Sequence, residues 1–242
     1  MKIADEIRKK QQDLYSRGPI AIAFLGDSVT QGCFECYEKS PNVVETKFYP
    51  EKAYCEKVKS ILATLYPSVP VTVINAGISG GGTESARARL ERDVLTYRPD
   101  LTVVCLGLND VGLGEGAIDR YTEGLKDIFG RIKSAGSEVI FMTPNPMNYT
   151  VSPHLKGDFF RKDLAEVFAG RMESGLMDKY MEAARKVCRE SGVKICDCYA
   201  LWQLLRSRGV DTTDLLANYL NHPVEKMHWM FAYELVKTML AD

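Results

Sequence analysis

The 242-residue sequence has no run of about 18 apolar residues, so no segment is expected to cross a bilayer as a helix. The most apolar early stretch, Pro19 to Gly26, is far too short for that. The opening residues, MKIADEIRKKQQDLYSRG, lack an apolar core and stay charged throughout, which argues against a secretory signal. No block of like charge is present either. Lys plus Arg number 31 and Asp plus Glu 32, for a net charge of −1, which disfavours a nucleic-acid polyanion as the main partner. The seven cysteines are odd in number and scattered, so they read as reduced thiols and a cytoplasmic setting rather than a disulfide framework. Repeats, low-complexity tracts and Pro/Gly/Ser-rich linkers are also missing, so residues 1–242 read as one domain.

What is present is ordinary globular material: 45% hydrophobic, 26% charged and 10% aromatic, enough for a sizeable core without metals or disulfides. Short apolar runs at Ile20–Leu25, Val71–Ile74, Leu101–Leu106, Val139–Thr143 and Val193–Cys196 are bounded by Gly, Pro, Asn or Asp and predict five buried strands. Between them lie helical stripes: Tyr54, Val58, Ile61, Leu62 and Leu65; Ala86, Leu90, Val94 and Tyr97; and Ile118, Tyr121, Leu125, Ile128, Phe129 and Ile132. Val224, Met227, Phe231, Leu235 and Met239 form a last one, and residues 1–17 open the chain as another helix. Such alternation implies an α/β fold, a three-layer α/β/α sandwich around a five-stranded parallel sheet. Two segments, 33–50 and 143–163, read as long loops near a site, the second carrying Pro144, Pro146 and Pro153.

Ligands of such sheets sit beyond the carboxyl ends of the strands. Gly26-Asp27-Ser28 follows the first strand, Asn75-Ala76-Gly77-Ile78-Ser79-Gly80 the second, and Gly107-Leu108-Asn109-Asp110 the third. Asn221-His222-Pro223 opens the last helix. A serine hydroxyl becomes a nucleophile when a base within hydrogen-bond reach takes its proton, and histidine is the usual base. The Ser28 and Gly80 backbone N–H groups and the Asn109 amide are candidate donors to the oxyanion that ester attack creates.

These blocks, spanning residues 24–228, resemble the SGNH (GDSL-type) hydrolases. The resemblance implies a flavodoxin-like fold and ester hydrolysis without metal or cofactor. It makes Ser28 the nucleophile, His222 the general base, and Gly80 and Asn109 parts of the oxyanion hole. One position departs: the aspartate expected three residues before the histidine is Tyr219. Asn218, Asn221 or Asp214 could orient the imidazole instead, and an offset Glu225–His228 pair is a further option. The implied partner is a small ester, such as an acetylated carbohydrate.

Blander readings stand beside each residue. Ser28 and Asp27 suit a helix N-cap, Asn109-Asp110 a turn, and His228 packing or a cap. His154 reads as exposed. Cys33-Phe34-Glu35-Cys36 is a CxxC that would suit a redox pair or half a zinc site, yet no second clustered cysteine pair accompanies it. Gly80 to Thr83 would suit a phosphate, but no P-loop lysine follows. A phosphate-binding flavodoxin-like module and a decayed hydrolase are the competing readings.

Overall fold

The computed structural model describes residues 1–40 and 43–241. Five parallel strands form the sheet: β1 (Ile20–Gly26), β4 (Val71–Gly77), β5 (Leu101–Cys105), β6 (Glu138–Met142) and β7 (Lys194–Cys196). Their spatial order is β4-β1-β5-β6-β7, the flavodoxin-like order in which the sheet grows outward from β1 in both directions. All five strands sit where the apolar runs predict them. Both faces of the central pair are covered, which is why every residue of β5 is buried and β1 is apolar almost throughout.

The helices sort into two groups by contact. α4 (Thr83–Asp93), α5 (Ile118–Ser134) and α7 (Leu176–Ser191) pack in a row, and α1 (Lys2–Gln12) and α3 (Tyr54–Leu65) pack on α9 (Glu225–Leu240). Right-handed crossovers place the two groups on opposite faces of the sheet. α5 buries Tyr121, Leu125, Ile128, Phe129 and Ile132, the stripe visible in the sequence. Tyr97 departs from its predicted stripe: α4 ends at Asp93, a 3-10 turn follows, and the ring is 58% exposed.

Segment 33–50 is not a loop in its described residues, 41 and 42 lying outside them. It holds a two-stranded antiparallel hairpin, β2 (Cys33–Ser40) and β3 (Val43–Phe48), and then a 3-10 turn at Pro50–Lys52. Segment 143–163 is irregular as far as Asp158 and then enters a π-helical turn, Phe159–Ala165. It is well tethered. Asn145 Nδ2 donates to the Asn221 carbonyl at 2.8 Å, and the Asn148 N–H to the Leu220 carbonyl at 2.7 Å. Both asparagines are buried, so this segment braces the loop that carries His222. Two short helices, α6 (Glu166–Glu173) and α8 (Cys198–Ser207), complete the chain.

Candidate active site

Ser28 begins α2 (Ser28–Gln31), a single helical turn directly after β1. Asp27 is its N-cap: Oδ1 accepts the Val29 N–H at 2.9 Å, and the side chain is buried. Burial pushes the Asp27 carboxyl up to about 6. The turn is tight because Gly77 of β4 lies against it. A Cβ on Gly77 would come within 2.3 Å of the Gln31 nitrogen. The strand-to-helix turn therefore holds the serine hydroxyl at the carboxyl edge of the sheet.

The glycine turn after β4 is tied to the same point. Gln31 Oε1 accepts the Ser79 N–H at 2.7 Å, and Asn75 Nδ2 donates to the Thr30 carbonyl at 2.9 Å. Gly80 has φ +73, a backbone state that glycine adopts freely. A Cβ there would meet no protein atom within 4 Å, so the backbone angle rather than crowding by the protein requires glycine. Asn109 Nδ2 donates to the Gly81 carbonyl at 3.0 Å and lies 3.5 Å from Asp27 Oδ2. Its neighbour Asp110 accepts the Thr83 N–H at 2.9 Å and so caps α4. Beneath these turns, the buried Arg89 guanidinium donates to the Gly26 carbonyl at 2.8 Å and the Ala76 carbonyl at 2.6 Å, joining the ends of β1 and β4. Sequence reading missed Arg89, since an arginine on a polar helix gives no sign of facing inward.

His222 lies in a tight loop, where the Ala217 N–H donates to the His222 carbonyl at 2.7 Å and the Val224 N–H to the Leu215 carbonyl at 2.9 Å. Its Nε2 is 2.9 Å from Ser28 Oγ, 194 residues earlier in the chain. The side that a carboxylate would occupy holds different groups. Nδ1 faces Asn218 Nδ2 at 3.1 Å, Cys33 Sγ at 3.5 Å and Cys36 Sγ at 3.7 Å. The orientation of the Asn218 amide is fixed chemically. Its Oδ1 accepts the N–H groups of Leu220 (3.1 Å), Asn221 (3.0 Å) and His222 (2.9 Å), a position that only oxygen can fill. The asparagine oxygen therefore builds the loop, and its nitrogen, a donor, meets the imidazole.

The other candidates for orienting the imidazole stand elsewhere. Tyr219, in the left-handed region at φ 54, turns away to contact the ring of the exposed His154. Asp214 is exposed. Asn221 Oδ1 accepts from Asn218 Nδ2 at 2.9 Å. Glu225 pairs with Lys57 at 3.0 Å, so no Glu225–His228 pair forms. His228 is fully buried instead, with Nδ1 accepting the Tyr54 N–H at 3.1 Å, and burial lowers its pKa to about 3.

The CxxC becomes meaningful only in three dimensions. Cys33 is buried at the root of the hairpin and Cys36 is half-buried, and their interaction splits the two thiols. A hydrogen bond from Cys33 holds the Cys36 thiol well below its usual range, and that same contact, with burial, raises Cys33. A cleft of about 470 Å³ runs past Cys36, Asn218, Tyr219, His154 and Phe160. Tyr37 also lines it, whereas Phe34 packs on His228 in the core.

Residues 24–230 match the GDSL-like Lipase/Acylhydrolase family. The chain belongs to this family. Two curated proteins align over about half of it. An acetylxylan esterase of Geobacillus stearothermophilus is 28% identical over 132 residues, 51% of this chain and 58% of that protein. An arylesterase of Vibrio mimicus is 39% identical over 130 residues, 53% and 56% of the two chains. The chain thus spans little more than half the length of the curated relatives it matches. Across solved structures the fold agrees more widely. Axe2, an acetylxylan esterase of G. stearothermophilus, superposes with a TM-score of 0.66 at 21% identity, covering 92% of this chain and 94% of that one. LAE5, from a Lake Arreo metagenome, gives 0.67 at 19%, covering 93% and 97%. Axe2 variants described as catalytic mutants replace a serine, a histidine and an aspartate three positions before that histidine.

Proposed function

We propose that this GDSL-like protein is a serine esterase that cleaves small carboxylic esters through an acyl-enzyme, with an acetyl group on a carbohydrate as the favoured substrate. The observation that carries the reading is the 2.9 Å contact between Ser28 Oγ and His222 Nε2 at the carboxyl edge of the sheet. His222 takes the Ser28 proton as Oγ attacks the ester carbonyl, then delivers that proton to the departing alkoxide. Water, activated by the same imidazole, releases the acid. The Ser28 and Gly80 N–H groups and the Asn109 amide meet the developing oxyanion, and removal of one such donor typically costs about 3 kcal/mol. For Nε2 to act as base, the imidazole proton must sit on Nδ1, where the sulfurs of Cys33 and Cys36 are the acceptors within reach.

The acetyl preference draws on the acetylxylan and aryl ester activities named for the relatives. The test is hydrolysis of nitrophenyl esters of increasing acyl length by the wild type and Ser28→Ala, with phosphonate labelling and mass mapping. Turnover fastest on acetyl, abolished in the variant, with the label on Ser28, is the expected result. A folded protein with no turnover and no label would overturn the reading and leave a binding module or a decayed hydrolase.

A further inference from the structure

The side of His222 away from Ser28 is built for more than orientation. Among the described residues, Cys33 Sγ, Cys36 Sγ and His222 Nδ1 are the one group of three or more His, Cys, Asp or Glu side chains placed to hold a metal ion, with these atoms all within 4.8 Å of one another. Zinc binds thiolate sulfur at about 2.3 Å and imidazole nitrogen at about 2.0–2.1 Å, so a tetrahedral angle places S and N about 3.6 Å apart. The observed S···N separations are 3.5 Å and 3.7 Å. From this geometry we infer that Cys33, Cys36 and His222 form a three-ligand site for a soft divalent cation of the zinc type, and that its occupancy takes His222 out of catalysis.

Three further features agree. A metal ligand must present a lone pair, and the Asn218 amide nitrogen, a donor 3.1 Å from Nδ1, lowers the cost of giving up the Nδ1 proton that the esterase uses. With Nδ1 taken by the metal, the amide hydrogen that faces it is free to donate to Cys36 Sγ, 3.6 Å away, the outer-shell contact that supports a bound thiolate. Cys36 and Asn218 also line the cleft, which gives an ion a way in from solvent. Two thiolates and an imidazole favour zinc over calcium or magnesium, which prefer oxygen ligands. On binding, each thiol gives up its proton to solvent and sulfur supplies the bonding pair.

The consequence for the proposed esterase follows from the two nitrogens of one ring. With metal on Nδ1, the remaining proton sits on Nε2, which then donates to Ser28 Oγ at 2.9 Å instead of accepting from it. The metal-loaded protein has a serine without a base. This inhibitory half rests on the serine esterase reading. The site itself does not.

The experiment measures binding and activity separately. Chelator-treated full-length protein receives one equivalent of zinc, and native mass spectrometry with a competing chromophoric chelator gives the stoichiometry. Cobalt substitution adds a direct view of the ligands, because bound thiolate gives a near-ultraviolet charge-transfer band. Expected are one zinc per chain, a cobalt–thiolate band, and unchanged binding in Ser28→Ala. Cys33→Ser and Cys36→Ala should each lose the bound equivalent while keeping native circular dichroism. Cys36 is half-buried, so its variant keeps the test valid if the Cys33 variant fails to fold. In the activity arm, one equivalent of zinc should abolish ester hydrolysis and chelator restore it. No stoichiometric binding, or binding that survives in both cysteine variants, overturns the site. Binding with unaltered hydrolysis overturns the inhibition. A protein inactive even in chelator counts against the esterase reading, while mass spectrometry and cobalt still decide the site.

Discussion

Replacing Asn218 by aspartate tests the unusual environment of His222 most directly. The side chains are nearly isosteric, so Oδ1 keeps its three loop N–H groups and Oδ2 takes the place of the amide nitrogen, 3.1 Å from Nδ1. A donor facing Nδ1 becomes an acceptor, which selects the proton position that leaves Nε2 free to act as base. A hydrogen bond to a charged group contributes about 1.5–3 kcal/mol. Against this stands the lost 2.9 Å bond from Asn218 to Asn221, worth about 1 kcal/mol. The net of about 0.5–2 kcal/mol corresponds to a rise in kcat of about 2- to 30-fold. The assay is nitrophenyl acetate hydrolysis with chelator present, so that no metal competes for Nδ1. KM should change little, because Asn218 acts through the imidazole. Asn218→Ala is the contrast: it removes the acceptor of three backbone donors, so activity and melting temperature should fall together. An Asn218→Asp protein with native melting behaviour and kcat at or below wild type would refute the reasoning.

Two other outcomes are expected. Asn109→Ala should lower kcat by about 10²- to 10³-fold with a smaller effect on KM, the signature of a donor used mainly in the transition state; an equal loss confined to KM would remove Asn109 from the oxyanion hole. His228, held to about 3 when folded against an ordinary 6.5, should make stability pH-dependent. Its neutral form is favoured by the fold, so its contribution is full above about pH 6.5 and declines by about 1.4 kcal/mol per unit as pH falls toward 3. Urea unfolding between pH 4.5 and 7 should show that slope in wild type and a shallower one in His228→Asn, and equal slopes would contradict it.

The sheet was legible because its strands are buried on both faces, so Ile20–Gly26 and Leu101–Cys105 stand out as apolar runs between turn residues. α5 was legible because one face alone is buried. α7 carries an equally clear stripe, Met177, Tyr180, Met181, Ala184 and Val187, between Gly175 and Gly192, both at positive φ. The hairpin was hidden for a physical reason. Beyond Phe34, β2 is largely exposed and charged, so neither an apolar run nor a strict alternation marks it. In the site, the serine, glycine, asparagine and histidine blocks could be read from their order along the chain. The surroundings of Nδ1 could not, because Cys36 and His222 are 186 residues apart and meet only through the fold. The CxxC has no second cysteine pair nearby in sequence, and the proposed third ligand is a distant histidine that the serine block already accounts for.

Arg89 has a bearing on how this protein responds to heat. The serine turn and the glycine turn grow from different strands, and catalysis as proposed needs them at a fixed spacing. One buried guanidinium grips a carbonyl at the end of each strand, Gly26 and Ala76, and together with the Gln31 and Asn75 contacts it sets that gauge. Such a gauge has no slack: it holds while the helix beneath it holds, and it fails all at once when that helix loosens. Activity and global stability should therefore share one thermal limit, with little of the gradual softening seen where catalytic loops hang free of the scaffold.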